Sequence, residues 1–297
     1  MPDIIKNQIR CALLATTLFT LSACGENAQQ PSVSEAADSA SYFSDARETG
    51  QGRLKVLYVP APGFAYENEE GQLSGVSIAI MNDFKAWFER YHGVRLQLDF
   101  VAENDWSQMY QRVANGNGGV FGLGNVTITE QRREQVAFSP AYLHNVAVLI
   151  TPDDVETVED DQGLAAALAD LQPVAFAGTL HEVRVGELRD QLQGDTPLQR
   201  VDTNQAVIDQ VVNGHYSYID AYNYHRAIEQ GVAIRHHPAF SIEGERFGII
   251  MPKDNDWQTL LTAFFAAEGG YLKTGRYQQV LQEHLGDEVA ATLLKAQ

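Results

Sequence analysis

Short apolar runs rich in β-branched and aromatic residues alternate with helix-spaced stretches, twice over, and this alternation constrains the fold more than any other feature of the chain. Residues 54–59 form a first β-prone run, ended by Pro60 and the Pro62-Gly63 pair. Ile80, Phe84, Trp87, Phe88 and Tyr91 then recur at helical spacing, and Gly93 follows as a stop. Leu96, Leu98 and Phe100 alternate as a second strand, residues 106–113 predict a second helix, and residues 119–123 a strand of small residues. Strand, helix, strand, helix, strand implies a parallel-rich sheet covered on both faces, because parallel strands need crossovers and helices supply them. The order then repeats with other residues: a strand over 146–150, a helix over 164–171, a strand over 173–176 opening into Gly178-Thr179, helices from about Glu182 and over Asn204–Val212, and a strand over 216–222. A strand over 247–251 and helices over 257–267 and 277–284 have no third sheet to cover, so they are expected to return to the first unit. The expected fold is α/β with two lobes, each a mixed sheet flanked by helices: lobe 1 from residues 51–146 plus 244–297, lobe 2 from residues 147–243. Crossing strands between two such lobes leave a cleft, and ligands of open α/β sheets sit beyond the carboxyl ends of the strands.

The N-terminal end carries a different signal. Lys6 and Arg10 precede an apolar stretch, residues 11–21, too short to span a bilayer as a helix. Leu21-Ser22-Ala23-Cys24 follows, slim residues before a thiol that can take a thioether-linked lipid. The run resembles a bacterial lipobox, which implies a signal peptide over residues 1–23 and a lipid on Cys24. Residues 25–50 are rich in Ala, Ser, Gln, Asp and Glu without periodicity, so residues 24–50 read as anchor and flexible tether. The chain is thus expected to be exported and held on the periplasmic side of a membrane by lipid alone. Cys11 lies in the leader and Cys24 takes the lipid, so no disulfide is expected. A net charge of −18 argues against nucleic acid and anionic lipid surfaces as partners.

Gly124-Asn125-Val126-Thr127-Ile128-Thr129-Glu130-Gln131-Arg132, followed by Val136-Ala137-Phe138-Ser139-Pro140-Ala141-Tyr142, resembles the signature of the family-3 extracellular solute-binding proteins, the amino-acid-type periplasmic binding proteins. Further matches fall in register. Glu70-Gly71-Gln72-Leu73-Ser74-Gly75 is similar to the family's turn into its first helix, and Asp105-Trp106 to its acidic-aromatic pair. Gly178-Thr179 is similar to its second-lobe glycine-threonine, residues 248–254 to its return strand, and Lys273-Thr274-Gly275-Arg276-Tyr277 with Leu285-Gly286 to its closing segment. The resemblance implies a two-lobed type II periplasmic-binding-protein fold that closes on a small amino acid or related carboxylate as a monomer and hands it to an ABC-type permease. The residue chemistry suits that role. Arg132 offers a planar fork to a carboxylate, Thr127 a hydroxyl, and the carbonyls of Gly124 and Asn125 acceptors for an ammonium. Trp106 can lie flat against the ligand, and backbone N–H groups at Thr179 and Leu180 can complete a carboxylate site from the second lobe.

Two positions depart from the family pattern. Matching its first-loop phenylalanine to Phe64 puts Ala61 where an aromatic is usual and Tyr58 where an acid is. The second-lobe aspartate expected eight residues after Gly214 is Tyr222, with Asp220 two residues earlier on the same expected strand face. Either Asp220 takes the ammonium through a shifted register, or the site accepts a ligand without an α-amino group. Relatives resembling cyclohexadienyl dehydratase keep an enzyme alternative open, with His181 and Glu182 as candidate acid-base groups; a sensory ligand-binding lobe is a third. His215, His225, His236 and His237 read as surface or loop histidines. There is no His-Glu-x-x-His, no Gly-x-Ser-x-Gly and no nucleotide fingerprint, so neither metal nor cofactor is expected.

Overall fold

A computed structural model describes residues 40–295. The expected signal peptide, Cys24 and most of the tether lie outside them. The C-terminal end of the expected tether is a helix instead. Helix α1 (Phe43–Thr49) buries Ala46, sets the Phe43 ring 5.6 Å from Trp257 and 5.9 Å from Phe88, and has its first N–H groups capped by Asp256. Its low overall hydrophobicity hid it, because one aromatic and one alanine carry the whole apolar face.

Strand β1 (Gln51–Tyr58) is the middle of a parallel trio, paired with β4 (Arg95–Ala102) on one side and β5 (Val120–Thr127) on the other. Helix α2 (Val76–His92) crosses between β1 and β4, ends at Gly93 in the left-handed region, and buries Ile80, Met81, Phe84 and Phe88. A hairpin of β2 (Tyr66–Glu67) and β3 (Leu73–Ser74) precedes it. Helix α3 (Trp106–Ala114) crosses to β5; Asp105 caps it by accepting from the Gln108 N–H at 2.9 Å. Helix α4 (Glu130–Gln135) and β6 (Ala137–Phe138) lead into the long strand β7 (Leu143–Pro152).

The second half repeats the theme: α5 (Asp161–Leu168), β8 (Gln172–Phe176), α6 (Leu180–Leu192), β9 (Gln199–Val201), α7 (Asn204–Val212), β10 (His215–Asp220), α8 (Ala221–Glu229) and β11 (Ile234–His236). Strand β12 (Ile242–Met251) then runs back antiparallel to both β7 and β5. Helices α9 (Gln258–Ala266) and α10 (Gly275–Leu285) pack on α2, as the sequence order requires, and α11 (Asp287–Lys295) packs on α10. One continuous sheet results, in the order β4-β1-β5-β12-β7-β10-β8-β9, with β6 on β12 and β11 on β7. The long strands β7 and β12 carry the chain from one half to the other, so the ends of β5, β8 and β10 converge on the seam.

Two sequence readings change. The strand expected over 216–222 stops at Asp220, and Tyr222 lies in the first turn of α8. Alternating tyrosines favour a strand on local preference, but Asp220 stands at the N-cap position and the chain turns into an amphipathic helix burying Tyr222, Asn223 and Ala227. His237 is not a surface residue. It is fully buried, with Nε2 2.8 Å from the Thr151 hydroxyl and Nδ1 accepting from the Val158 N–H at 3.2 Å, and burial pushes its pKa down to about 4. Among the described residues no helix is long and apolar enough to cross a membrane, and no cluster of three or more His, Cys, Asp or Glu is placed to hold a metal ion.

Candidate functional site

A cleft of about 610 Å³ opens at the seam, lined from both halves. Its first wall is the end of β5 together with the turn and helix α4 beyond it. Gly124 allows α3 to lie close: a Cβ there would come within 2.6 Å of Met109 and 3.2 Å of the Trp106 indole nitrogen. Asn125 takes a φ of 50°, a left-handed conformation that Asn tolerates better than most residues. That turn aims its amide at two tyrosines: the Tyr142 hydroxyl donates to Asn125 Oδ1 at 2.9 Å, and Asn125 Nδ2 donates to the Tyr222 oxygen at 2.8 Å. Thr129 caps α4, its hydroxyl accepting from the Arg132 N–H at 3.2 Å, and so sets where the Arg132 side chain starts.

Arg132 is half-buried. Its Cζ lies 4.9 Å from the Trp106 ring centroid, and Nη1 donates to the Thr127 carbonyl at 3.1 Å. Burial pushes its pKa below the ordinary arginine value, and no described carboxylate pairs with it. Trp106 does not simply lie open to the cleft: its Nε1–H donates to the Gly124 carbonyl at 3.0 Å, its ring stacks on Tyr110 at 5.4 Å, and the guanidinium sits over it. The Gly124 carbonyl expected to face an ammonium is thus already an acceptor within the wall.

The second wall comes from the starts of α6, α7 and α8. Gly178, with φ 76°, brings β8 against α3 across the seam: a Cβ there would meet the Ser107 Oγ at 2.1 Å. Thr179 occupies the N-cap position of α6, but its hydroxyl donates to the Phe176 carbonyl at 2.7 Å, leaving the N-terminal turn at Leu180 without a side-chain cap. Asp220 is buried at 6% exposure; its Oδ1 accepts from Asn145 Nδ2 at 2.6 Å and faces His181 Nε2 at 3.1 Å. Behind it Asn145 Nδ2 also donates to Glu245 Oε2 at 2.7 Å, Glu245 pairs with Arg184, and Arg184 Nη1 reaches His181 Nδ1 at 3.3 Å. This buried array supports the second wall.

Of the residues expected from sequence, Trp106, Gly124, Asn125, Thr127, Arg132, Thr179, Leu180, Asp220 and Tyr222 all line this cleft. Phe64 does not. It is buried in the first-half core with its ring 4.6 Å from that of Tyr222, because the loop before β2 folds inward under α2. Tyr222, a second-half residue, is 2% exposed and packs into the same core, and burial together with the Asp220 charge raises its pKa well above the ordinary phenol value. His181 lines the cleft, whereas Glu182 accepts from the Gly178 N–H at 2.7 Å and pairs with Arg200. Sequence reasoning missed Asn223 and Arg226 on α8, and Asn204 and Gln205 on α7. The helical spacing of Tyr222, Asn223, Arg226 and Ala227 is the signal for them, masked by the strand-like tyrosines that precede it.

The bacterial extracellular solute-binding proteins, family 3, match this chain over residues 54–287. Among curated proteins, the membrane-bound lytic murein transglycosylase F of Maricaulis maris (strain MCS10) is 34% identical over 92 residues, which span 31% of this chain and 19% of that relative's length. Among solved structures, an ABC uptake transporter substrate binding protein from Streptococcus pneumoniae with bound histidine superposes at a TM-score of 0.64 and 18% identity, covering 83% of this chain and 97% of its own. The arginine-, lysine-, histidine-binding protein ArtJ from Geobacillus stearothermophilus gives 0.59 and 17% over 79% and 96%. A putative L-cystine ABC transporter from Listeria monocytogenes gives 0.65 and 10% over 80% and 97%. At these identities the solved structures speak to the fold: a type II periplasmic-binding-protein architecture.

Proposed function

Because the chain belongs to the bacterial extracellular solute-binding proteins, family 3, we propose that it binds a small amino acid or related carboxylate in the seam cleft and delivers it to an ABC-type transporter. The observation that carries this reading is Arg132. A guanidinium half-buried over Trp106, with one N–H committed to a carbonyl and no carboxylate partner among the described residues, is a prepared site for a ligand carboxylate. The Thr127 hydroxyl and the backbone N–H of Leu180 in the uncapped first turn of α6 supply further donors from the two walls. The lipobox-like run ending at Cys24 supports an exported protein, anchored on the periplasmic side by lipid, with its binder held near a membrane partner.

Ligand-dependent stabilisation tests the reading, since a ligand that binds only the folded chain raises its melting temperature by mass action. A screen of amino acids and small organic acids is expected to shift the wild type and to leave Arg132→Ala unshifted; a wild type unmoved by every compound would overturn it.

A second reading rests on the His181–Asp220 pair at the cleft wall. A carboxylate that orients an imidazole beside an anion site has the parts for general acid-base elimination, as a cyclohexadienyl dehydratase-like enzyme would need. Incubation with prephenate or arogenate decides it: product formation lost in His181→Asn would support elimination, and absence of turnover would leave binding alone.

A further inference from the structure

Helix α8 contributes Tyr222, Asn223, Arg226 and Ala227 to the cleft. Arg53, Arg112, Arg184, Arg200 and Arg276 each pair with a carboxylate, but among the described residues neither arginine lining the cleft does. Arg226 is half-buried, and its guanidinium has no hydrogen-bond or ion-pair partner among the described residues. One helical turn earlier, Asn223 is 4% exposed and its Nδ2 makes no hydrogen bond among the described residues. That amide lies close enough to the Tyr222 hydroxyl to favour its ionised form, yet lacks the geometry of a hydrogen bond to it. A buried amide donor without an acceptor carries a desolvation cost that a ligand acceptor would remove. The cleft's carboxylates offset these donors poorly: Asp220 Oδ1 is held by Asn145 and His181, and Glu67 is exposed on β2. The cleft therefore presents two guanidiniums without a described carboxylate partner, Arg132 from α4 and Arg226 from α8.

Resting on the binding reading above, we propose that Asn223 and Arg226 form a second anion subsite, so that the ligand is a short dicarboxylate, one carboxylate on Arg132 and the other on Arg226. Amino dicarboxylates and plain or 2-oxo dicarboxylates share this chemistry; they differ in whether an ammonium must be received near Asp220.

Titration calorimetry of the purified full chain tests this with aspartate, glutamate, succinate and 2-oxoglutarate, against alanine, glutamine and propionate as single-carboxylate controls. At least one dicarboxylate is expected to bind about 10- to 100-fold more tightly than its single-carboxylate counterpart, the margin a charge-assisted hydrogen bond provides. Arg226→Gln is expected to erase that margin, Arg226→Lys to retain part of it, and Arg132→Gln to weaken both sets. Thermal melts of each variant identify any that fail to fold, and Asn223→Ala provides an independent probe of the same subsite with a smaller loss. Binding of aspartate or glutamate but not succinate or 2-oxoglutarate would assign the amino class; the reverse would assign the class without an ammonium. If alanine or glutamine binds as tightly as any dicarboxylate and Arg226→Gln changes nothing, the second subsite is overturned while the binding function stands. If no probe binds the wild type, the dicarboxylate class is overturned outright, and the broader screen judges the binding function separately.

Discussion

The two walls of the cleft are built on different principles. The first is a local device: within nine residues of β5, a turn and α4, Gly124, Asn125, Thr127, Thr129 and Arg132 hold one another through Arg132 Nη1 to the Thr127 carbonyl and Thr129 to the Arg132 N–H. The second is assembled from far apart in sequence: Asn145 on β7, His181 and Arg184 on α6, Asp220 at the end of β10 and Glu245 on β12. Compact local motifs can be read from order alone; long-range charge networks exist only once the fold brings their members together.

Stability should expose that contrast most sharply at Glu245. It is 5% exposed, paired with Arg184 and hydrogen-bonded by Asn145, so Glu245→Ala strands a buried guanidinium and should cost about 3–5 kcal/mol. Arg132→Ala removes cation–π contacts to Trp106 and Tyr110 and one hydrogen bond from the first wall, about 1–2 kcal/mol. Urea unfolding of both variants measures the difference, and equal losses would break the comparison.

Acid should act next, and again through the second half. His237 is neutral in the fold with a pKa near 4, against about 6.5 when unfolded. A depressed folded-state value means the stabilisation is complete above pH 6.5 and is lost as pH falls from 6.5 towards 4, because only the unfolded chain takes up the proton in that window. The whole effect is about 3 kcal/mol for a shift of that size. His237→Gln should flatten the change in unfolding free energy between pH 7 and pH 4.5 relative to the wild type; an unchanged slope would remove His237 as its source.

The same contrast sets what was legible in the sequence. Alternating runs gave β1, α2, β4, α3 and β5 to within a few residues, because periodic burial and local preference agree there. The end of β10 was misplaced because Tyr216, Tyr218 and Tyr222 alternate like a strand, while Tyr222 is in fact drawn into the first-half core by Phe64 and Asn125. Those partners lie more than 90 residues away, so no local window contains them. Phe64 lies outside its expected place in the cleft for the mirror reason: its burial depends on α2 and Tyr222 closing over it. Tyr222→Phe probes this clasp. It leaves Asn125 Nδ2 without its acceptor in a largely dry site, which should cost about 1–2 kcal/mol in urea unfolding, with the seam loosened more than the core.

The smallest expected effect is the most informative about the first wall. Thr129 accepts from the Arg132 N–H at 3.2 Å as the cap of α4, a helix of only 6 residues with no buried side chain of its own. A helix this short has little else to fix it, since tertiary packing normally supplies most of a helix's stability. Thr129→Ala should therefore cost about 1 kcal/mol in unfolding free energy, the usual worth of a cap. Its larger consequence should fall on Arg132, whose backbone loses its anchor and whose guanidinium then samples positions away from Trp106. Thr129→Ser keeps the capping oxygen and should behave as wild type. If carboxylate affinity falls in the alanine variant but not in the serine variant, the first wall is preorganised by its own nine residues. If affinity is unchanged in both, Arg132 is held by Thr127 and the Trp106 and Tyr110 rings, and the local device reduces to a strand end and two rings.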